Sequence, residues 1–571
     1  MIFDRLCEDI GKYRRILPFK VQSTYIPLKN EEKILLAADI ITEKGSLIER
    51  PTFLRIGHRW REKEDIKQYN PLIQEGFNFV KVDVRGTGSS FGNREIPWSP
   101  SEIQEINDIV HWITEQPWSD GKVILIGSDY SATVSELAVT CNNNSIYAYI
   151  SIGNGFNLYS DVMYPGGLFL ESYVKKWSEK NKLYENTKIK PLNDPLYHSN
   201  ASIIKDQHTM NKDVMDLFSS IEFSDQLLAE TNIPLTTICI SAHSDEIYRN
   251  KFPKFSVGSW FDAKTANSVI HRFLNYSKPF IGVIGCWKQD ANPLNLLKDP
   301  ESRLKSTNLL LLLEFIRFAR KSITNPTSIP KLLYYYTNRE NKWKVTNTWP
   351  LPNQVIMPLY LAGKNQLNMR ISSKAEKSIY KVNYSTTTGT ANRWQAPFGD
   401  KISYKKRAKQ DKKCLIFTSQ ALSESIEITG HPMITLHFSS THKDGAIFVY
   451  LEVIYQKHVY YLSEGQLRLI LWKESSNPYY KTPIPYRSFG KNDVSFLQPN
   501  SIYNIRIPLE PISVLLPEKS KIRIAIAGAD AGNFKLYPEP MKPPPEWNIY
   551  HNTEFPSLLE LPVIPRDNIK K

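Results

Sequence analysis

The stretch GKVILIGSDYSAT, residues 121–133, decides how the first part of this chain folds. Its apolar, β-branched beginning predicts a buried strand, and the small residues Ser131 and Ala132 favour a helix that starts close to that strand. A sharp turn between a strand and a helix is a common place for a catalytic nucleophile. Here the tip of the turn is Asp129, and aspartate tolerates the left-handed backbone region better than most residues. The sequence therefore predicts a strained turn that presents a carboxylate.

Short apolar runs alternate with a helical pattern on both sides of this turn. Residues 102–116 predict an amphipathic helix, with one face made of Ile103, Ile106, Ile109, Val110 and Ile113. Predicted strands cover residues 33–40, 51–57, 77–84, 122–127 and 147–153. Continuous apolar strands separated by helices predict a parallel sheet that is covered on both faces.

The segment after these strands has a different character. Residues 156–230 are polar and have no strand pattern, which predicts a helical cap inserted into the sheet domain. Strand patterns return at residues 233–241 and 278–285, and a leucine-rich helix begins at Thr307. The first domain is therefore predicted to consist of a core segment 1–155, the cap, and a second core segment 231–330.

A Pro- and Ser-containing link at residues 322–331 ends this domain, and the helical periodicity stops there. Apolar runs such as AIFVYLEVIY, residues 446–455, and KIRIAIAGA, residues 521–529, then follow, with turn residues between them. Residues 335–571 are therefore predicted to form an all-β sandwich of the jelly-roll type.

Composition limits the class of protein. Of 571 residues, 41% are hydrophobic and 23% are charged, as in globular proteins. The net charge of +14 is dispersed, and its densest run, residues 404–413, has no nucleic-acid-binding motif beside it, which disfavours a nucleic-acid partner. The five cysteines form no CxxC pair, the first residues contain no apolar signal segment, and the leucine run from Asn308 is too short to span a bilayer. We therefore expect a cytoplasmic protein with no cofactor, metal ion or membrane partner.

The segment around the turn resembles a known family. EQPWSDGKVILIGSDY is similar to the nucleophile segment of the CocE/NonD hydrolases, which include cocaine esterase, α-amino-acid ester hydrolases and X-prolyl dipeptidyl-peptidases. VDVRGTGSSFG, residues 82–92, and SDVMYPGG, residues 160–167, resemble two further segments of that family. EGQLRL, PYRSF and IRIAIAGADAGNF resemble its C-terminal β-sandwich. The resemblance implies an α/β-hydrolase fold with a helical cap, followed by a galactose-binding-like jelly roll.

The family's catalytic residues can be carried over by position. It uses a Ser-His-Asp triad, with an oxyanion hole made by a Tyr hydroxyl and the backbone N–H after the nucleophile. The resemblance implies that the nucleophile position is Asp129, the histidine position Gln289, the acid position Asp245, the oxyanion tyrosine position His58, and the backbone donor Tyr130. Three of the four side-chain roles are therefore substituted.

These substitutions change the chemistry. A serine needs an imidazole to take its proton, whereas the Asp129 carboxylate needs no base to attack. Attack of a carboxylate on an ester gives a labile anhydride, and carboxylate nucleophiles act on sp3 carbon. Such enzymes still need a histidine to activate water, and Gln289 cannot do this. His58 or His243 could supply the missing imidazole, and Ser128 and Ser131 are expected to be structural.

Two functions follow from this interpretation. In the first, the chain is inactive as a serine hydrolase and is a pseudoenzyme that binds a small-molecule, acyl or peptide-like ligand, or regulates an active relative. In the alternative, it is an active hydrolase with altered chemistry, in which Asp129 acts with His58 or His243 on an ester, amide or peptide-like substrate. The resemblance also admits a homo-oligomer. Asp and His can bind metal ions, but their spacing here fits no metal motif.

Overall fold

The computed structural model describes residues 17–29, 34–58, 69–187, 192, 194–229, 231–286, 304–374, 376–398, 402–404 and 407–565. Its first sheet contains β1 (Phe19–Pro27), β2 (Leu35–Glu43), β3 (Arg50–Gly57), β4 (Asn78–Asp83), β5 (Ser119–Ser128), β6 (Ile146–Ile152), β7 (Lys254–Ser259), β8 (Phe280–Gly285), β9 (Lys331–Thr337) and β10 (Lys342–Thr346). The helices are α1 (Asn70–Gln74), α2 (Pro100–Thr114), α3 (Tyr130–Leu137), α4 (Glu171–Thr187), α5 (Pro195–His208), α6 (Val214–Ser219), α7 (Ser244–Arg249), α8 (Thr265–Asn275), α9 (Leu304–Thr324) and α10 (Arg407–Gln410).

The first sheet is parallel in its centre. Its order is β1-β2-β4-β3-β5-β6-β7-β8-β9-β10. Neighbouring strands from β4 to β9 run parallel, whereas β1, β2 and β10 join antiparallel. Strands β4, β7 and β8 are buried along their whole length, as expected for parallel strands with helices over both faces. The predicted parallel sheet is thus confirmed, and all five strands predicted before the cap are present.

One predicted strand is wrong. Residues 233–241 form two short 3₁₀ segments, Leu235–Ile238 and Ile240–His243, instead of a strand. Their apolar side chains are buried in the main core, so the run is hydrophobic for a reason other than strand formation. The place in the sheet is taken by β7, whose sequence KFSVGS is shorter and more polar.

The first sheet also extends beyond its predicted end at residue 330. Strand β9 pairs in parallel with β8, and β10 forms an antiparallel hairpin with β9. The sheet therefore continues to Thr346, and the second sheet begins with β11 at Val355.

Helix α2 illustrates why the local sequence folds as it does. Ser99 caps its first turn by accepting a hydrogen bond from the N–H of Glu102 at 3.1 Å, and Pro100 occupies the first helical position. The five residues predicted for its apolar face are all buried. Within the described residues, no helix has the length and apolar character needed to cross a bilayer.

The cap is helical, as predicted. It begins with a short π-helical turn at Tyr159–Met163 and a 3₁₀ turn at Pro165–Gly167, and it continues through α4, α5 and α6. Gly166 has a φ of 66°, and a Cβ there would collide with the carbonyl of Gln466. This glycine therefore lets the cap approach the second sheet closely.

The second sheet forms an all-β domain. Its strands are β11 (Val355–Ala362), β12 (Gln366–Asn368), β13 (Lys377–Lys381), β14 (Leu415–Ala421), β15 (Ile426–Gly430), β16 (Met433–Ser440), β17 (Ala446–Tyr455), β18 (His458–Arg468), β19 (Tyr503–Pro508), β20 (Ile512–Leu516), β21 (Lys521–Ala527), β22 (Glu546–Tyr550) and β23 (Leu558–Ile564). Apart from the short β12–β14 pair, the pairings between these strands are antiparallel. A separate core cluster fills this domain, which confirms the predicted β-sandwich.

Candidate functional site

The turn between β5 and α3 has the strained geometry that the sequence predicts. Asp129 has φ 51° and ψ −112°, a backbone conformation that residues other than glycine rarely adopt. Its N–H donates to the carbonyl of Ile152 at 2.9 Å, and its carbonyl accepts from the N–H of Thr133 at 3.2 Å. The turn is therefore fixed between β6 on one side and the first turn of α3 on the other.

Small residues allow the strand and the helix to meet at this turn. A Cβ on Gly127 would collide with the carbonyl of Ser131, and a Cβ on Gly57 would collide with the Ser131 hydroxyl. Ser131 is itself buried, so it has the packing position that the sequence predicts. Ser128 is half-buried and, with Ser131, lines a small cavity on the β3 side of the turn.

A pocket opens above Asp129. It has an empty volume of about 870 Å³ including its mouth. Its base contains Asp129, Tyr130 and His58. Aromatic and aliphatic side chains make much of the wall, namely Trp98, Leu158, Val162, Met163, Leu170, Tyr173, Trp177, Ile238, Ile240 and Phe398. The elbow residue thus lines a pocket that is open to solvent and whose wall is largely apolar.

His58 lies at the pocket base, where the sequence predicts it. Its ring is buried against the ring of Tyr130, with centroids 4.2 Å apart. No hydrogen bond joins its imidazole to the Asp129 carboxylate, although both side chains line the same pocket. The structure therefore brings His58, Tyr130 and Asp129 together without forming a bonded dyad.

Tyr130 connects the pocket base to two residues that the sequence interpretation missed. Its hydroxyl donates to the carboxyl of Glu102, with both oxygens at 2.7 Å, and its ring stacks on that of Trp98 at 4.7 Å. The indole N–H of Trp98 donates to the carbonyl of Tyr130 at 3.1 Å. Burial raises the pKa of Glu102 to about 7. The amphipathic pattern of α2 conceals Glu102, because a polar residue on a buried helix face gives no separate signal.

The structure does not bring Asp245 or His243 to this pocket. Asp245 is exposed on α7, before β7, and neither residue is among the pocket-lining side chains. The Nε2 of His243 is 3.0 Å from the carbonyl of Thr237. The strand predicted at residues 233–241, just before Asp245 in the sequence, is absent as well. This corrects the predicted acid position.

Asp262 is the acidic residue that approaches the elbow. Asp262 follows β7. Gly153 lies between it and the elbow: a Cβ built on Gly153 would be 3.7 Å from the Oδ1 of Asp129 and 3.8 Å from the Oδ2 of Asp262. Gly153 has a φ of 68°, which favours glycine between the two carboxylates. The sequence contains a signal for it: the acid segment of the family resembled has the form Gly-Trp-x-Asp, and Trp260-Phe261-Asp262 has this Trp-x-Asp spacing, whereas Asp245 is preceded by His243 in place of the tryptophan.

The second domain holds the loop that carries Asp262. Arg393 is fully buried, and its Nε donates to the carbonyl of Ala263 at 2.7 Å, while its Nη2 donates to the carbonyl of Trp260 at 3.1 Å. The carbonyl of Arg393 accepts from the N–H of Ala263 at 3.0 Å. The β-sandwich is thus part of the scaffold that positions the pocket.

Two predictions remain, namely the histidine position at Gln289 and the expected lack of a metal site. Gln289, the residue at the histidine position, lies outside the described residues, which stop after β8 at Cys286 and resume at residue 304. No group of three or more His, Cys, Asp or Glu side chains suited to a metal ion occurs in the part of the chain that the structure describes.

Family models match both domains of the chain. A model described as X-Pro dipeptidyl-peptidase (S15 family) matches residues 44–288. A second, described as X-Pro dipeptidyl-peptidase C-terminal non-catalytic domain, matches residues 326–552.

Individual proteins show the same relationship. The chain is 31% identical over 547 residues to a Mycobacterium bovis protein named "Putative serine esterase", covering 88% of this chain and 85% of that one. It is 22% identical over 325 residues to the cocaine esterase of a Rhodococcus strain, covering 52% and 54% of the two chains. A CocE/NonD family hydrolase from Staphylococcus aureus superposes with a TM-score of 0.70 at 14% identity, covering 96% of this chain and 98% of that one. This last comparison concerns the fold alone.

Proposed function

The chain belongs to the CocE/NonD family of X-Pro dipeptidyl-peptidase-like hydrolases, and from this premise we propose that it binds a ligand in the pocket above Asp129 without serine-hydrolase chemistry. The observation that carries the proposal is the elbow itself. Its strained backbone and close glycine contacts are those of a nucleophile turn, yet its tip is a carboxylate. The ligand is a small molecule or an acyl or peptide-like compound of a size that the pocket accepts.

The chemistry of the elbow supports this proposal. Acyl transfer by the family's route needs a hydroxyl and an imidazole that removes its proton. The nearest serines to the tip, Ser128 and Ser131, flank the turn, and Ser131 is packed against Gly57. Attack of a carboxylate at the tip on an ester would expel the alcohol and leave an acyl anhydride, and turnover would still need an activated water to hydrolyse that anhydride. The retained pocket therefore favours binding over hydrolysis.

An alternative with its own support is a hydrolase with altered chemistry. His58 lines the same pocket as Asp129, so both side chains border the space that a substrate would occupy. In that case Asp129 acts as nucleophile or base and His58 activates water. His243 contributes nothing to this alternative, because its ring contacts the backbone of Thr237 outside the pocket.

Labelling with a fluorophosphonate probe separates serine chemistry from binding. We expect no labelled serine in the wild-type pocket and none in the single variant Asp129→Ser, which gains a hydroxyl without a base. The double variant Asp129→Ser with Gln289→His is expected to be labelled at residue 129, and His58→Tyr is expected to increase that labelling. A labelled pocket serine in the wild-type protein contradicts the proposal.

The alternative is tested by turnover. A panel of esters, amides and short peptides is assayed with wild-type protein and with Asp129→Asn, which keeps the shape of the side chain and removes its charge. Turnover that is lost in Asp129→Asn, together with a covalent adduct on Asp129 in a His58→Ala variant, would establish the altered hydrolase. Equal traces of turnover in both proteins would exclude it.

A further inference from the structure

The Asp129 carboxylate has no partner among the described residues. It lies at the position before the first residue of α3, where an aspartate ordinarily accepts a hydrogen bond from a backbone N–H of the first turn. Its side chain makes no such bond, and its backbone, with φ 51°, lacks the extended conformation that capping residues ordinarily have. No ion pair or hydrogen bond from the residues that the structure describes reaches its two carboxylate oxygens, and Asp129 lines both adjoining cavities.

The other charges at the wall of the large pocket have partners. The Nζ of Lys264 is 3.2 Å from the Oε1 of Glu510 in the second domain. The Oδ2 of Asp161 accepts from the N–H groups of Phe156 and Asn157 and from the hydroxyl of Ser268, each at 3.0 Å. Asp129 therefore contributes a negative charge that its described surroundings leave unmatched.

The wall of the pocket suits the remainder of a cationic ligand. Trp98 adjoins the base through its stacking on Tyr130, and its ring is 5.7 Å from that of Trp177. Tyr173 and Phe398 pack together further along the wall, with centroids 4.9 Å apart. Aromatic faces attract ammonium groups, and the aliphatic side chains between them accept an apolar body.

We propose that Asp129 is a binding residue, and that its carboxylate forms an ion pair with the protonated amine of a ligand whose apolar body lies against the aromatic wall. This inference rests on the proposed function, because it assigns Asp129 to recognition of the ligand instead of attack on it. It follows from three features together, namely the unpartnered carboxylate, the ion pair of Lys264 and the hydrogen bonds of Asp161 that already occupy those two side chains, and the aromatic lining.

Three probes with the same body and different charge test the proposal. Binding of 4-phenylbutylamine, 4-phenylbutan-1-ol and 4-phenylbutyrate to the full chain is measured by calorimetry at neutral pH. The amine is expected to bind about tenfold more tightly than the alcohol, and the carboxylate more weakly than both. Added salt is expected to weaken the binding of the amine and to leave the binding of the alcohol unchanged, because only the amine is held by a charge interaction.

Two charge-matched variants assign the effect to one residue. Asp129→Asn is expected to remove the preference for the amine while the alcohol binds as before, which also shows that the pocket remains folded. Asp245→Asn removes the same charge from an exposed site on α7 and is expected to leave all three affinities unchanged. This control separates a contact at the elbow from the general effect of protein charge.

The outcomes decide the inference and are distinct from those of the labelling experiment. Equal binding of amine and alcohol, a preference for the carboxylate, binding of none of the probes, or an amine preference that survives Asp129→Asn would overturn it. A fluorophosphonate label on a pocket serine would instead contradict the proposed function, whatever the three affinities are.

Discussion

Arg272 and Glu136 form a buried ion pair beneath the loop that lines the pocket. The Nη2 of Arg272 is 2.9 Å from the Oε2 of Glu136, and both side chains are almost fully buried. Arg272 also donates to the carbonyls of Asn154 at 3.3 Å and Gly155 at 2.9 Å, while the Tyr276 hydroxyl donates to Glu136 at 2.7 Å. One interaction thus joins α3, α8 and the pocket loop.

Loss of the Glu136 charge should strongly destabilise the protein. Glu136→Gln leaves the Arg272 guanidinium buried without its counter-charge, which is expected to lower the free energy of unfolding by about 3–5 kcal/mol. Chemical denaturation measures the change. Glu179→Gln, an exposed substitution on α4, is the control and should change it by less than about 0.5 kcal/mol. A loss below about 1 kcal/mol in Glu136→Gln would show that the pair is dispensable.

Because the elbow is strained, we expect the usual order of stability of alanine and glycine variants to be reversed at residue 129. At ordinary positions, glycine is less stable than alanine by roughly 0.5–1 kcal/mol because it loses more backbone freedom on folding. At residue 129, with φ 51°, the alanine variant keeps the strain and the glycine variant releases about 1–2 kcal/mol. Asp129→Gly is therefore expected to be at least as stable as Asp129→Ala in urea denaturation. The ordinary order, with glycine clearly weaker, would mean that the turn carries no strain.

Most of the fold could be predicted from local pattern, because the strands of the first sheet are continuous apolar runs and α2 has a regular buried face. The elbow could be predicted as well, since it depends on small residues close in sequence. The acid position could not be predicted from this local pattern, because the run at residues 233–241 is as apolar as a strand but is buried as two 3₁₀ turns. The more polar β7 supplies the strand, and Asp262 follows it. Strand pattern alone does not decide between two such segments, and the Trp-x-Asp spacing of Trp260-Phe261-Asp262 is the signal in the sequence that does.

Buried Glu102 predicts a pH dependence of stability. Burial raises the pKa of Glu102 to about 7 in the folded protein from its ordinary value of 4.5. Between these two values the folded state holds a proton that the unfolded state has released, so stability falls as pH rises through that window. The loss is about 1.4 kcal/mol per pH unit at most and is complete above the folded pKa.

Glu102→Gln removes this contribution and keeps a hydrogen-bond acceptor for Tyr130. The difference in unfolding free energy between the variant and the wild type is therefore expected to shift in favour of the variant from pH 5 to pH 8. Glu49→Gln, at an exposed position, should give a difference that is constant with pH. A constant difference for Glu102→Gln as well would mean that Glu102 is ionised in the folded protein throughout this range.

From the hydrogen bonds of Arg393, we expect the second domain to keep the loop that carries Asp262 ordered. Replacement by methionine keeps much of the volume and removes the donors to the carbonyls of Trp260 and Ala263. Buried acceptors without donors are costly, so we expect the loop to open more often and its amides, residues 260–265, to exchange hydrogen faster. Hydrogen exchange with mass spectrometry measures this loop separately from the rest of the chain.

The matched control for this experiment is Arg407→Met. Arg407 is also buried in the second domain, and its Nε is 2.7 Å from the Oε1 of Glu452, but the partners found for it lie in that domain. Both variants are expected to lose about 3–5 kcal/mol of unfolding free energy, because each breaks a buried charged interaction. Only Arg393→Met should raise exchange at residues 260–265 under native conditions. If the two variants change that loop equally, its order depends on the general stability of the β-sandwich and not on the contact made by Arg393.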